Sequence, residues 1–164
     1  MEKNYDDKTM REAFREVLRD EAYNYRNLYA LSADTEKSMG LNIMRMDFPN
    51  RVFNVGICEQ NMTMIAAGLA SCGGKVVIAT YACFASMRML EQVRTYIACL
   101  NMDVKVISGM GGLSGGREGV SHHGIEDISI MRSIPNMAVI VAADACSTKI
   151  IAKEVLAYNG PVYL

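Results

Sequence analysis

The sequence predicts an α/β fold, a parallel sheet with helices on both of its faces. Short apolar runs rich in β-branched residues alternate along the chain with longer segments whose apolar residues recur at helical spacing. Most of the runs stop at a glycine or polar residue, where a loop should begin. At 164 residues and 51% hydrophobic composition, the chain is long and apolar enough for one domain with a real core, residues 1–164, and too short for two ordinary ones.

The elements follow in order. From Thr9 to Glu21, Met10, Ala13, Phe14, Val17 and Leu18 fall on one helical face. Leu28–Ala33 and Val52–Val55 are short enough, and sufficiently β-branched or aromatic, to be strands. A helix begins at Glu59, with Met62, Ile65, Ala66 and Leu69 at helical spacing, and stops at Ser71-Cys72-Gly73-Gly74, since glycine readily takes the left-handed cap conformation. Lys75–Thr80 is a strand, Phe84 to Leu100 one long helix, and Val104–Ser108 another strand. Six glycines in the eleven positions Gly109–Gly119 exclude helix or strand there and make a loop able to approach a ligand closely. Ile125–Ser133 reads as helix, Ala138–Ala142 as strand, Ser147–Tyr158 as a helix ended by Asn159-Gly160, and Val162–Leu164 as the start of a last strand. Alternation of this kind implies parallel pairing with both faces covered.

In such sheets ligands bind beyond the carboxyl ends of the strands. The segments there are Asp34–Ser38, Gly56–Gln60, Tyr81–Phe84, the glycine loop with Ser121-His122-His123 after it, and Asp144. Most of the chain's unusual polar residues lie in them.

Composition excludes several classes of function. A net charge of −1, with Lys and Arg dispersed along the sequence, lacks the basic stripe that neutralises a nucleic acid backbone. The opening MEKNYDDKTM alternates charges and is neither signal peptide nor anchor, and no run approaches the roughly 18 apolar residues of a membrane helix, so the chain reads as cytoplasmic. Five cysteines (Cys58, Cys72, Cys83, Cys99, Cys146), odd in number and without a CxxC pair, read as reduced thiols in a core. Adjacent histidines can bind metal, but no Cys or carboxylate spacing supports a protein-ligated one.

The segment GICEQNM, Gly56–Met62, puts the carboxylate of Glu59 at a strand-to-helix turn beside two amides. By position alone this is a first-turn glutamate favoured by the helix dipole. Tyr81 and Phe84 alone read as a core aromatic pair, and His122 as a pH-poised imidazole in a cleft.

Taken together, GICEQNM, the AAGLA of Ala66–Ala70, TYACF at Thr80–Phe84, EQVR at Glu91–Arg94, SHHGIEDI at Ser121–Ile128, RSIPNM at Arg132–Met137 and the closing GPVYL resemble the pyrimidine-binding domain of transketolases. Their order and spacing cover nearly the whole chain, from Met10-Arg11 onward, and similar strings occur in deoxyxylulose-phosphate synthases. The resemblance implies the thiamin-diphosphate-binding fold of pyrimidine-domain type. It also implies a cofactor, thiamin diphosphate with Mg2+, whose chemistry the protein positions and polarises. The glutamate matching Glu59 bonds the ring nitrogen N1′ of the aminopyrimidine and favours the tautomer that generates the reactive ylid. That role calls for a buried carboxyl, because desolvation favours its protonated form. Tyr81 and Phe84 correspond to the stacking pocket of the pyrimidine, with Met87 at the next position facing it. His122 corresponds to the histidine that reaches the thiazolium and substrate, a placement suited to proton transfer. His123 stands where the family has glutamine and receives no role.

Arg11 and Ser38 match positions that contact a sugar phosphate, a group suited to a guanidinium and a hydroxyl. Glu118, four residues before His122, stands where transketolases carry an aspartate that reads a substrate hydroxyl. Met110, twelve before it, replaces a histidine and cannot donate a hydrogen bond. The implied activity is transfer of a two-carbon ketol unit between sugar phosphates, as in pentose phosphate metabolism. The alternatives are a component of a deoxyxylulose-phosphate synthase or 2-oxo-acid decarboxylase, or a non-catalytic interaction module. A P-loop reading fails, since the glycine loop has no GxxxxGK[ST]. No GDG-type motif corresponds to the diphosphate-binding domain, and the family's C-terminal domain is also unmatched. The expectation is therefore a C-terminal section of a split enzyme, inactive alone, that completes its site in a homo- or hetero-oligomer with a partner diphosphate domain holding the metal. Fifty-one per cent hydrophobic content and 13 methionines point to apolar surface and self-association.

Overall fold

The computed structural model describes residues 8–164; the charged opening of the chain lies largely outside them. Six strands form one parallel sheet in the order β2-β1-β3-β4-β6-β5. They are β1 (Leu28–Ser32), β2 (Val52–Asn54), β3 (Lys75–Tyr81), β4 (Val104–Gly109), β5 (Ala138–Val139) and β6 (Val162–Tyr163). Along the central β3, Val76 and Ile78 join one core cluster while Val77 and Ala79 join another, the period of two that a sheet covered on both faces requires.

On one face lie α1 (Met10–Asn24), α2 (Asn42–Asp47) and α7 (Ala145–Ala157), which bring Phe14, Val17, Leu18, Met44, Ala152 and Leu156 against Leu28, Ala30 and Val77. On the other lie α3 (Glu59–Ser71), α4 (Ala82–Met87), α5 (Leu90–Gln92) and α6 (Asp127–Arg132), with Met62, Ala66, Ala85 and Met131 packed on Leu31, Val76 and Val106. Helix α1 starts in a capping box, Thr9 Oγ1 accepting from the Glu12 N–H and Glu12 Oε2 from the Thr9 N–H. Helix α7 starts two residues earlier than its periodicity suggests, because Asp144 caps it by accepting from the Ser147 N–H at 2.7 Å.

Three expectations are corrected. The long helix expected over Phe84 to Leu100 is interrupted. Met89 leaves helical geometry (φ −117°, ψ 12°), and the chain resumes as α5 and then a wider π-helical stretch, Val93–Ala98. The break sends neighbouring side chains to different places, with Met89 fully buried in the core and Arg88 turned to the carboxyl edge of the sheet. The strand expected over Ala138–Ala142 keeps only Ala138–Val139, since β6 offers a two-residue register there. The cysteines are not core residues as a group: all five are free, but only Cys83 is buried. Helix α2 and the 3-10 turn Pro49–Arg51 lie in a segment whose periodicity predicts no element.

At the amino edge of the sheet, Asp103 lies 2.5 Å from both Lys75 Nζ and Lys105 Nζ. Lys105, wholly buried, also donates to the carbonyls of Tyr158 (2.7 Å) and Gly160 (2.6 Å), holding the end of α7 to β4. Deep on the other face, Tyr163 of β6 donates to Asp127 at the start of α6 across 2.6 Å. The candidate site residues gather at the carboxyl edge of the sheet.

Candidate active site

Glu59 is the first residue of α3, so its backbone sits where the helix dipole is positive. It is 4% exposed, and with Asp127 it makes up the buried carboxylates among the described residues. It is not uncompensated: Arg88 Nη1 donates to Glu59 Oε1 at 2.9 Å. The same guanidinium lies above Phe84, its central carbon 3.7 Å from the ring centroid. Arg88 was not among the residues singled out from the sequence. It stands four residues after Phe84, one helical turn on, and that spacing is the signal that could have found it.

The aromatic residues converge on this point. The rings of Tyr81 and Phe84 are 5.7 Å apart, and His122 meets Phe84 edge-on at 5.2 Å and Tyr81 at 6.0 Å. Tyr81 ends β3 and Phe84 lies in the first turn of α4, so the strand-to-helix junction places both. Met87, at the end of α4, is half exposed.

His122 reaches the cluster because its loop folds back upon itself. The Gly112 N–H donates to the Gly124 carbonyl at 2.7 Å and the Gly124 N–H to the Gly112 carbonyl at 3.1 Å, clamping the loop's two limbs. A Cβ at Gly124 would lie 2.6 Å from the Cβ of Ala82, and one at Gly115 would lie 2.7 Å from the His122 carbonyl oxygen. Both positions need glycine for close approach. Ser121 Oγ is 3.0 Å from His122 Nδ1, and Glu118, mostly exposed, sits 3.8 Å from Nε2. The hydroxyl holds Nδ1 by a hydrogen bond, while the carboxylate stands near Nε2 beyond hydrogen-bond reach.

A second group forms at the ends of β1 and β2. Arg11 donates to the Ser38 carbonyl at 2.6 Å, joining two residues distant in sequence. Asp34, in the left-handed region at φ 61°, donates its N–H to Asn54 Oδ1, and Asn54 Nδ2 donates to its carboxylate. Met110 is also left-handed, at φ 56°, directly after β4. Backbone of this kind costs about 1 kcal/mol or more for a side-chain-bearing residue. Here it marks the same edge of the sheet twice. Around the cluster Ile57, Leu113, Val120 and Ile125 expose apolar side chains. Among the described residues no group of three His, Cys, Asp or Glu side chains could hold a metal ion, and no helix is long and apolar enough to cross a membrane.

Comparison with known proteins places this arrangement. Residues 6–164 match the family model described as transketolase, pyrimidine binding domain. A Methanocaldococcus jannaschii protein assigned as a transketolase C-terminal section is 40% identical over 157 residues, 96% of this chain and 50% of that protein. A 1-deoxy-D-xylulose-5-phosphate synthase from Syntrophomonas wolfei is 34% identical over 155 residues, 94% of this chain and 24% of that enzyme. The structure of a split-gene transketolase in an inactive β4 tetramer superposes with a TM-score of 0.83 at 37% identity, covering 94% of this chain and 50% of that one. The chain thus spans half the length of some relatives and a quarter of others.

Proposed function

The chain belongs to the transketolase pyrimidine-binding domain family, and from that premise we propose that it is the pyrimidine-domain component of a thiamin-diphosphate-dependent transketolase, moving a two-carbon ketol unit between sugar phosphates. The observation that carries the reading is the environment of Glu59, a buried carboxylate beside an aromatic face on which a planar cationic donor already rests. The guanidinium of Arg88 fills the place a flat, nitrogen-bearing ring would take, with one difference at the edge: it donates to Glu59, whereas N1′ of an aminopyrimidine would accept the carboxyl proton. The residues therefore fit the ring.

In this reading Glu59 would hold the ring at N1′ and exchange a proton there, and Phe84, with Tyr81, would supply the stacking surface. Met87 borders that surface. When bound, the cofactor supplies a carbon nucleophile that cleaves and remakes bonds next to a carbonyl. His122, held by Ser121 at Nδ1 and with Glu118 near Nε2, would move a proton on the substrate side. Arg11 and Ser38, already in contact, would take the phosphate end of a sugar phosphate. Mg2+ and the cofactor's diphosphate would be held by a partner diphosphate-binding domain or subunit in a homo- or hetero-oligomer. The exposed apolar residues around the site are the surface such a partner would cover.

The test is reconstitution with a diphosphate-domain chain, thiamin diphosphate and Mg2+, followed by calorimetric titration of the cofactor. Binding that needs both chains and weakens in Glu59→Ala supports the reading; binding indifferent to Glu59 overturns it. Met110 favours a second reading, a pyruvate-type donor as used by a deoxyxylulose-phosphate synthase, because its thioether cannot donate a hydrogen bond to a sugar hydroxyl. Product analysis with a ketose phosphate against pyruvate separates the two.

A further inference from the structure

We propose that Arg88 is a gate on the pyrimidine site, which keeps the ring's place until the ring displaces it; this rests on the reading of Glu59 and Phe84 just given. A ring stacked on Phe84 with a nitrogen bonded to Glu59 needs two positions. The Arg88 guanidinium fills both, 3.7 Å above the centroid of Phe84 and 2.9 Å from Glu59 Oε1. Two planar groups cannot share a single van der Waals layer about 3.5–4 Å deep. Occupancy by Arg88 and by the ring is mutually exclusive.

The structure supplies both a reason for Arg88 to be there and a way for it to leave. Glu59 is 4% exposed, and a buried carboxylate left without a partner is strongly destabilising. Arg88 provides that partner while no ring does. Its own side chain is 46% exposed, so water already stands beside the guanidinium to receive it when another group takes its place at Glu59. The chain break beside it separates the two duties of this stretch. Met89 anchors the backbone in the core, so Arg88 can swing outward by side-chain rotation alone, leaving the helix packing in place. Entry of the ring is then an exchange of partners at Glu59, with no step in which a naked charge is buried. Arg88 is a positioning residue, acting on the ring through competition.

The probe is 4-amino-2-methylpyrimidine, titrated by NMR into the chain reconstituted with a diphosphate-domain chain, and into the same assembly carrying Arg88→Met, Arg88→Lys or Glu59→Gln. Arg88→Met keeps the unbranched apolar stem but removes the charge and the planar face. It should bind the ring roughly tenfold tighter, the sum of a half-exposed ion pair and a cation–π contact released. Arg88→Lys should fall between. In the unaltered chain the Arg88 Nε–Hε resonance should move in step with ring binding. Binding to Arg88→Met that is equal or weaker, or an arginine resonance that stays put while the site saturates, would overturn the gate. So would a failure of Arg88→Met to take the ring at all, because its pocket would then be open. The Glu59→Gln titration reports on the underlying reading separately. Glu59-dependent binding that ignores Arg88 removes only the gate, whereas binding that ignores Glu59 removes the site.

Discussion

Tyr163 on β6 and Asp127 at the start of the short helix α6 share a 2.6 Å hydrogen bond in the interior, with the tyrosine donating. Burial, and then the bond to Asp127, push the Tyr163 hydroxyl well above its ordinary 10.0. A group whose proton is held more tightly in the folded state stabilises the fold below its unfolded value. That stability is lost as the pH climbs beyond it. Denaturant midpoints should therefore fall above about pH 10, and this component should vanish in Tyr163→Phe. At neutral pH the same variant leaves a buried carboxylate oxygen short of a donor and should lose about 1–3 kcal/mol in urea unfolding.

Lys105 titrates with the opposite sign. Desolvation lowers it below 10.5 against the raising effect of Asp103. The unfolded chain thus binds this proton more tightly, and the lysine's contribution to stability rises as the pH approaches the unfolded value. Replacing Asp103 with Asn would leave Lys75 and Lys105 facing each other without their shared anion. The expected cost is about 3 kcal/mol by urea denaturation, with part recovered at alkaline pH.

Glu59→Gln keeps the shape and removes the exchangeable carboxyl proton. In the reconstituted enzyme, turnover should drop by at least about a hundredfold, within the range of a lost acid–base group. Circular dichroism should be unchanged. Normal turnover in this variant would sink the assignment of Glu59.

Gly124→Ala drives a methyl group to 2.6 Å from Ala82 Cβ, so either the loop or α4 must shift. The predicted penalty is about 1–3 kcal/mol. The more telling readout is His122: its ring resonances should lose the upfield shifts expected from Phe84 and Tyr81 as the loop lifts.

Sequence alone was enough for the α/β architecture because the apolar runs of β1, β3 and β4 are dictated by burial on both faces. Glu59 and His122 were legible through the strings around them, and the structure places both at the carboxyl edge. The break at Met89 was not, since Met87, Leu90, Val93, Ile97 and Leu100 make a plausible continuous stripe. In the structure Met87 and Leu100 are exposed, and Met89 takes the inward position. Arg88 was missed for the same reason, as an unbroken helix gives it an ordinary solvent-facing place. The segment holding α2 contributes only Met44 to the core from that helix, too weak a pattern to announce an element.

The position of β6 between β4 and β5 governs when the sheet can be finished. Strand β5 is synthesised before β6, yet its pairing is to β6, through Ala138 with Val162 and Val139 with Tyr163. On a ribosome, where a nascent domain folds as its residues emerge, the four strands centred on β1 and β3 can assemble while β5 waits unpaired. Residues 160–164 then slot in as a keystone, docking β5 and delivering the Tyr163 hydroxyl to Asp127 in one event. Until that moment the Asp127 end of α6 lacks its hydrogen bond to the sheet, and the packing of Met131 holds that helix in place.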